Sequence, residues 1–242
     1  MTIFHGGRNT YGEAIGILLL ETKFPRIPGD IGNATTFDFP VRYRMVEGAT
    51  PKRIVFEGDK SLLPDFVEAA QELEAAGVRA ITTSCGYLST FQETLTAAVN
   101  VPMFTSSLMQ VPMVTRMLPP GKKVGILTID SRRLTEETLA TAGITDEPVV
   151  VMGSEEVPEF YDTYPRGALE IDPEKVESAV VGMVQDLLSQ NPDVGAIVCE
   201  AINYAPYAHG VQAATGIPWF DIIDLTRHVY NAVVKKPYTG YL

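Results

Sequence analysis

Two segments of this chain repeat one layout. They are "AAGVRAITTSCGYLSTFQETLTAAVNVPMFTSS", from Ala75, and "NPDVGAIVCEAINYAPYAHGVQAATGIPWFDII", from Asn191. Each has a lead-in, an apolar run, a short polar turn, a helical stretch with an Ala-Ala pair, and a Val/Ile-Pro-X-Phe run. A doubled strand–helix–strand layout leaves few folds open. Near-continuous apolar strands alternating with helices make a parallel sheet covered on both faces. The echo therefore predicts an α/β protein of two pseudo-symmetric lobes with a cleft between their strand ends. Ligands of open α/β sheets bind outside the carboxyl ends of the strands. Cys85 and Ala201 hold equivalent places in the two halves. The expected division is 1–109 plus 216–242 for the lobe carrying Cys85, and 110–215 for the lobe carrying Ala201.

The rest of the chain follows the same alternation. "AIGILLLE" (Ala14–Glu21), "RIVFEG" (Arg53–Gly58), "VRAITTSC", "VPMFTSS", "KKVGILTID", "PVVVMGS", "VGAIVCEA" and "IPWFDIIDL" read as strands. Helical patterns lie between them. In Leu62–Gly77, Phe66, Ala69, Ala70 and Leu73 recur at i, i+3, i+4 and i+7, and Gly77 is the expected stop. "SRRLTEETLATAG" reads as one helix, with Ser131 as N-cap and Gly143 as stop. "DPEKVESAVVGMVQDLLSQ" has Asp172 as N-cap and Pro173 in the first turn. Phe24–Val41, rich in Pro, Gly, Asn and Thr, reads as a long structured loop. Loops of that length are often functional, and Gly29, Gly32 and Asn33 could supply turns and N–H groups.

Composition narrows the function classes. The formal charge of −11 and the lack of a basic stripe argue against a nucleic-acid partner. No apolar run approaches the ~18 residues needed to cross a bilayer, and "MTIFHGGRNTYGE" lacks a signal-peptide layout. A cytoplasmic setting without membrane attachment is the expectation. The two cysteines, Cys85 and Cys199, make neither a disulfide framework nor a metal-ligand spacing. Gly6 and Gly7 in "HGG" follow no strand and carry no phosphate-binding motif.

"TTSCGYL", "VPMFTSSLMQVP", "VGILTID" and "GIPWFDI", in this order, resemble the aspartate/glutamate racemase superfamily. Its members include glutamate, aspartate and hydantoin racemases, maleate isomerase, arylmalonate decarboxylase and an algal dimethylsulfoniopropionate lyase. The resemblance implies an active site between the two lobes and no cofactor: no pyridoxal phosphate, metal or nucleotide. It implies a small carboxylate substrate, with chemistry at the carbon α to the carboxylate. A homodimer or higher homo-oligomer is compatible with it. Racemases of this kind carry one cysteine per lobe. The run resembling Glu-Cys-Thr in the second lobe is here Glu200, Ala201 and Ile202, so the second thiol is replaced.

Cys85 is the expected catalytic acid or base. The helix start after it should lower its pKa. Around it, Thr83, Ser84, Gly86 and Tyr87 could hold the carboxylate, as could Thr105, Ser106 and Ser107 at the next strand end. Asp130 and Ser131 end the first strand of the second lobe, where capping competes with a ligand role. Ala201, Ile202, Asn203 and Tyr204 form the second wall, with His209 further along. Strand alternation turns Glu200 to the other face, and Cys199 reads as core. The resemblance points first to a racemase-like isomerase. With one thiol, a decarboxylase, a lyase or an inactive carboxylate-binding protein stays open.

Overall fold

A computed structural model describes residues 3 and 5–241. Two four-stranded sheets, all parallel, form the frame. The first has the order β2-β1-β3-β4 and the second β6-β5-β7-β8. In the first, β1 (Ile15–Leu19), β2 (Val41–Met45), β3 (Ala80–Thr83) and β4 (Met103–Phe104) pair with Leu18 beside Thr83. In the second, β5 (Lys123–Thr128), β6 (Val149–Gly153), β7 (Val194–Cys199) and β8 (Trp219–Phe220) pair with Leu127 beside Cys199. The orders match position for position, as the repeated layout predicts.

Helices α1 (Leu63–Ala76) and α2 (Gln92–Ala98) cover one face of the first sheet. Phe66, Ala69, Ala70 and Leu73 are the buried stripe of α1, and Gly77 takes the left-handed cap at φ 99°. Only a residue without Cβ adopts that conformation at little cost. In the second lobe, α5 (Pro158–Thr163), α6 (Pro173–Gln190) and α7 (Ala208–Thr215) cover one face. Asp172 caps α6 by accepting from the Lys175 N–H.

Each fourth strand feeds a helix that crosses to the other lobe. After β4, α3 (Val111–Met117) packs Val111 and Val114 on Val124 and Ile126 of β5, near the short α4 (Glu136–Thr141). After β8, α8 (Ile222–Val233) packs Ile222 and Ile223 on Ile15, Ile17 and Phe104. This exchange ties the lobes together. It also moves one boundary: within 216–242, α8 lies on the first sheet, but Trp219 pairs with Ile197, so β8 belongs to the second.

Three local readings change. "RIVFEG" is not a strand. Lys52–Phe56 forms a π-helical turn, closed by Glu57 N–H to the Lys52 carbonyl. Pro51 precedes it in a helical conformation, and a short apolar run does not by itself distinguish strand from buried turn. The helix expected from Ser131 is two pieces. Asp130, not Ser131, caps a 3-10 turn at Ser131–Arg133, and Thr135 caps α4. The loop after β1 gives way to β2, an edge strand whose arginines hide its pattern. No helix of the described residues is long and apolar enough to cross a membrane.

Candidate active site

The ends of β3 and β7 meet at one pocket. It spans about 450 Å³ of space outside protein atoms, open solvent at its mouth included. Cys85 follows β3 by two residues and Ala201 follows β7 by two, and both line it. Ser84, Gly86, Tyr87, Ile202 and Asn203 also line it.

Cys85 is 7% exposed and precedes a 3-10 turn, Gly86–Phe91. The N–H groups of Tyr87 and Leu88 donate toward its sulfur and favour the thiolate. Burial outweighs them, and the neighbouring Glu200 adds to it, so the thiol is pushed up to about 12. The expectation of a depressed pKa is therefore corrected: the helix start is present, but dehydration decides the sign. Cys199 is fully buried in the second core, and burial raises its pKa as well.

Glu200 is the residue that strand alternation misplaced. β7 ends at Cys199, and the chain turns there, so Glu200 lines the pocket instead of the opposite face. Its side chain is fully buried. Oε2 accepts from Thr128 Oγ1 at 2.8 Å, while Oε1 has no partner. A Cβ on Gly86 would lie 2.3 Å from Glu200 Oε1, so the glycine makes room for the carboxyl. Burial raises the Glu200 pKa to about 8. Tyr87 Oη lies 2.9 Å from Thr128 Oγ1 and donates to that oxygen or to the Asp130 carbonyl.

The loop after β1 supplies the pocket's cation. Arg26 donates to Asp30 at 2.6 Å and to Thr22 at 2.9 Å, and lies over the Phe24 ring. Two of its five N–H groups are used in this way. Asp30 is fully buried and also accepts from Gly32 N–H and, across the lobes, from Asn203 Nδ2. Gly29 packs against Pro206, and Asn33 caps the turn Ala34–Thr36. These three residues hold the loop rather than line the pocket.

The other expected residues lie outside the pocket lining. Thr83 Oγ1 donates to the Thr105 carbonyl, and Thr105 bonds the Gln92 amide oxygen. Ser106 accepts from Leu108 N–H, and Ser107 donates to the Cys199 carbonyl. Asp130 pairs with Arg132 outside the pocket, and Ser131 bonds Glu155. Tyr204 donates to the Thr128 carbonyl and stacks on Phe160. His209 is exposed on α7, and Gly6 and Gly7 are exposed. Phe24, Phe56, Tyr87 and Tyr164 give the pocket aromatic walls.

The Asp/Glu/Hydantoin racemase profile matches residues 49–229. A dimethylsulfoniopropionate lyase of Durusdinium sp. clade D is 29% identical over 240 residues, covering 96% of this chain and 79% of that protein. Unliganded arylmalonate decarboxylase is similar over 95% of this chain and 96% of its own, with TM-score 0.60 and 15% identity. Picrophilus torridus aspartate racemase is similar over 94% and 96%, with TM-score 0.56 and 12% identity. At these identities the two structures speak for the fold.

Proposed function

This chain belongs to the Asp/Glu/hydantoin racemase family, and we propose that within it the chain is a lyase acting on a small carboxylate with a β leaving group. The carrying observation is one thiol, Cys85, in a pocket whose equivalent position is Ala201. Racemisation needs a proton carrier on each face of the substrate. Ala201 has no proton to give, and the Glu200 carboxyl packs against Gly86. Elimination needs one base only.

In the proposed reaction Cys85 Sγ takes the α proton. The C–H electrons form the Cα=Cβ bond, and the leaving group departs with the pair of its bond to Cβ. For dimethylsulfoniopropionate the products are acrylate and dimethyl sulfide, with the proton left on Cys85. Arg26 binds the carboxylate through its remaining N–H groups. The aromatic walls suit a sulfonium cation. That cation also favours ionisation of Cys85, which must first release its own proton to solvent. The similarity to a dimethylsulfoniopropionate lyase supports this substrate class.

The test is acrylate release from dimethylsulfoniopropionate and other β-substituted propionates. Cys85→Ser should lose at least ~100-fold in kcat, within the range for an acid–base group. Arg26→Met should raise KM more than it lowers kcat. Acrylate formation that survives Cys85→Ser, or α-proton exchange of amino acids with no elimination, would overturn the reading. Propionate binding without turnover of any substrate would make the chain a binding protein.

A further inference from the structure

Two fully buried carboxyl groups flank the pocket, and they are treated differently. Asp30 accepts from Arg26, Gly32 and Asn203. Glu200 has one donor, Thr128, and no ion pair among the described residues. Its Oε1 is the one buried carboxyl oxygen among them with no hydrogen-bond partner. A buried carboxylate in that state is costly, whereas a buried carboxylic acid can place its O–H on Oε1 and lacks only an acceptor. Arg26, on the other lobe, also has N–H groups to spare. Two unpartnered donors in one pocket call for a ligand with two acceptor oxygens.

We propose that Glu200 works as a carboxylic acid, donating its Oε1–H to one oxygen of the substrate carboxylate while Arg26 holds the other. This rests on the lyase reading for the carboxylate itself. As Cys85 removes the α proton, negative charge builds transiently on the carboxylate oxygens before it passes into the Cα=Cβ bond, and a neutral donor there stabilises it. The Glu200 proton stays on Glu200 throughout, so the reaction's balance is unchanged. Thr128 Oγ1 fixes the carboxyl plane through Oε2. Gly86 leaves the space that Oε1 occupies beside the pocket lining.

The groups facing Glu200 do not supply a competing titration. Cys85 and Tyr87, from the segment after β3, stay neutral well past pH 9. Cys199 and Tyr204, on its own segment, are raised well above their ordinary values by burial. Arg26 and Tyr164 complete the titratable lining, and burial raises Tyr164 too. Glu200, with its pKa near 8, is the group whose charge changes between pH 7 and 9.

Propionate is the probe, because it has the carboxylate and no leaving group. Its affinity, by isothermal titration calorimetry, should fall about 10-fold from pH 7 to 9 in the wild type, following loss of the acid form. Glu200→Gln keeps an N–H donor and should bind with no such fall. Glu200→Met has no donor and should bind at least ~10-fold more weakly at pH 7. Should Glu200→Met fail to fold, the wild-type and Glu200→Gln series decide alone. Affinity that is flat or rising from pH 7 to 9, wild-type affinity in Glu200→Met, or no propionate binding at all would overturn the proposal. Failure of the lyase reading looks different: no acrylate forms while pH-dependent propionate binding persists.

Discussion

Replacing Glu200 by Gln should change how stability depends on pH. A carboxyl group ordinarily titrates near 4.5, and burial moves Glu200 to about 8. Below pH 4.5 both the folded and unfolded chains hold this proton. Between 4.5 and 8 the unfolded chain releases it and the folded chain keeps it, so rising pH favours unfolding. Each pH unit is worth about 1.4 kcal/mol, so the window from 4.5 to 8 amounts to roughly 5 kcal/mol as an upper figure. Gln is nearly isosteric, keeps a partner for Thr128 and has no proton to lose. Urea unfolding of both proteins at pH 5, 6.5 and 8 isolates the effect, because groups common to both, such as the buried Asp221, cancel in the difference. The stability difference, variant minus wild type, should grow by several kcal/mol from pH 5 to 8, with m-values unchanged. A difference that is flat over this range would refute the argument that burial keeps Glu200 protonated.

Gly86→Ala would place a Cβ 2.3 Å from both the Glu200 carbonyl oxygen and Oε1, and should cost about 1–3 kcal/mol in urea unfolding. Asn203→Ala removes the inter-lobe donor to buried Asp30 and should cost about 1–3 kcal/mol; it should also raise KM, because Asp30 positions Arg26. Ala201→Cys should fold normally, since Ala201 lines the pocket and one added sulfur has that space to enter. With Ile202→Thr added, deuterium wash-in at the α carbon of an amino acid would report proton traffic from a second face. No wash-in from a folded double variant with both introduced side chains verified would count against an ancestral two-thiol geometry at this site.

The frame was legible because its signals are local and doubled. The repeat gave two parallel sheets, and the stripe Phe66–Leu73, the Gly77 stop and the Asp172 cap each have one short-range cause. β2 was not legible, because an edge strand with Arg42 and Arg44 has no apolar run to notice. "RIVFEG" failed for the converse reason: Ile54 and Val55 are buried in a helical turn as readily as in a strand. At the site, the strand ends named Cys85 and Ala201, since their places follow from topology. Glu200 was lost because alternation was carried one residue past the end of β7. Arg26 needed tertiary contacts, as its partners Asp30 and Asn203 are fixed by the fold and not by spacing. The sign of the Cys85 shift could not be read either, because it depends on how completely water is excluded.

The central claim is that one thiol works on one face of the substrate. The direct measurement uses dimethylsulfoniopropionate carrying deuterium in place of one or the other of its two α hydrogens, each as a single stereoisomer. Mass analysis of the acrylate then shows which hydrogen was removed. A single base at Cys85 predicts that one stereoisomer loses its deuterium and the other keeps it. Comparable loss from both stereoisomers would mean that proton carriers act on both faces, and would contradict the account.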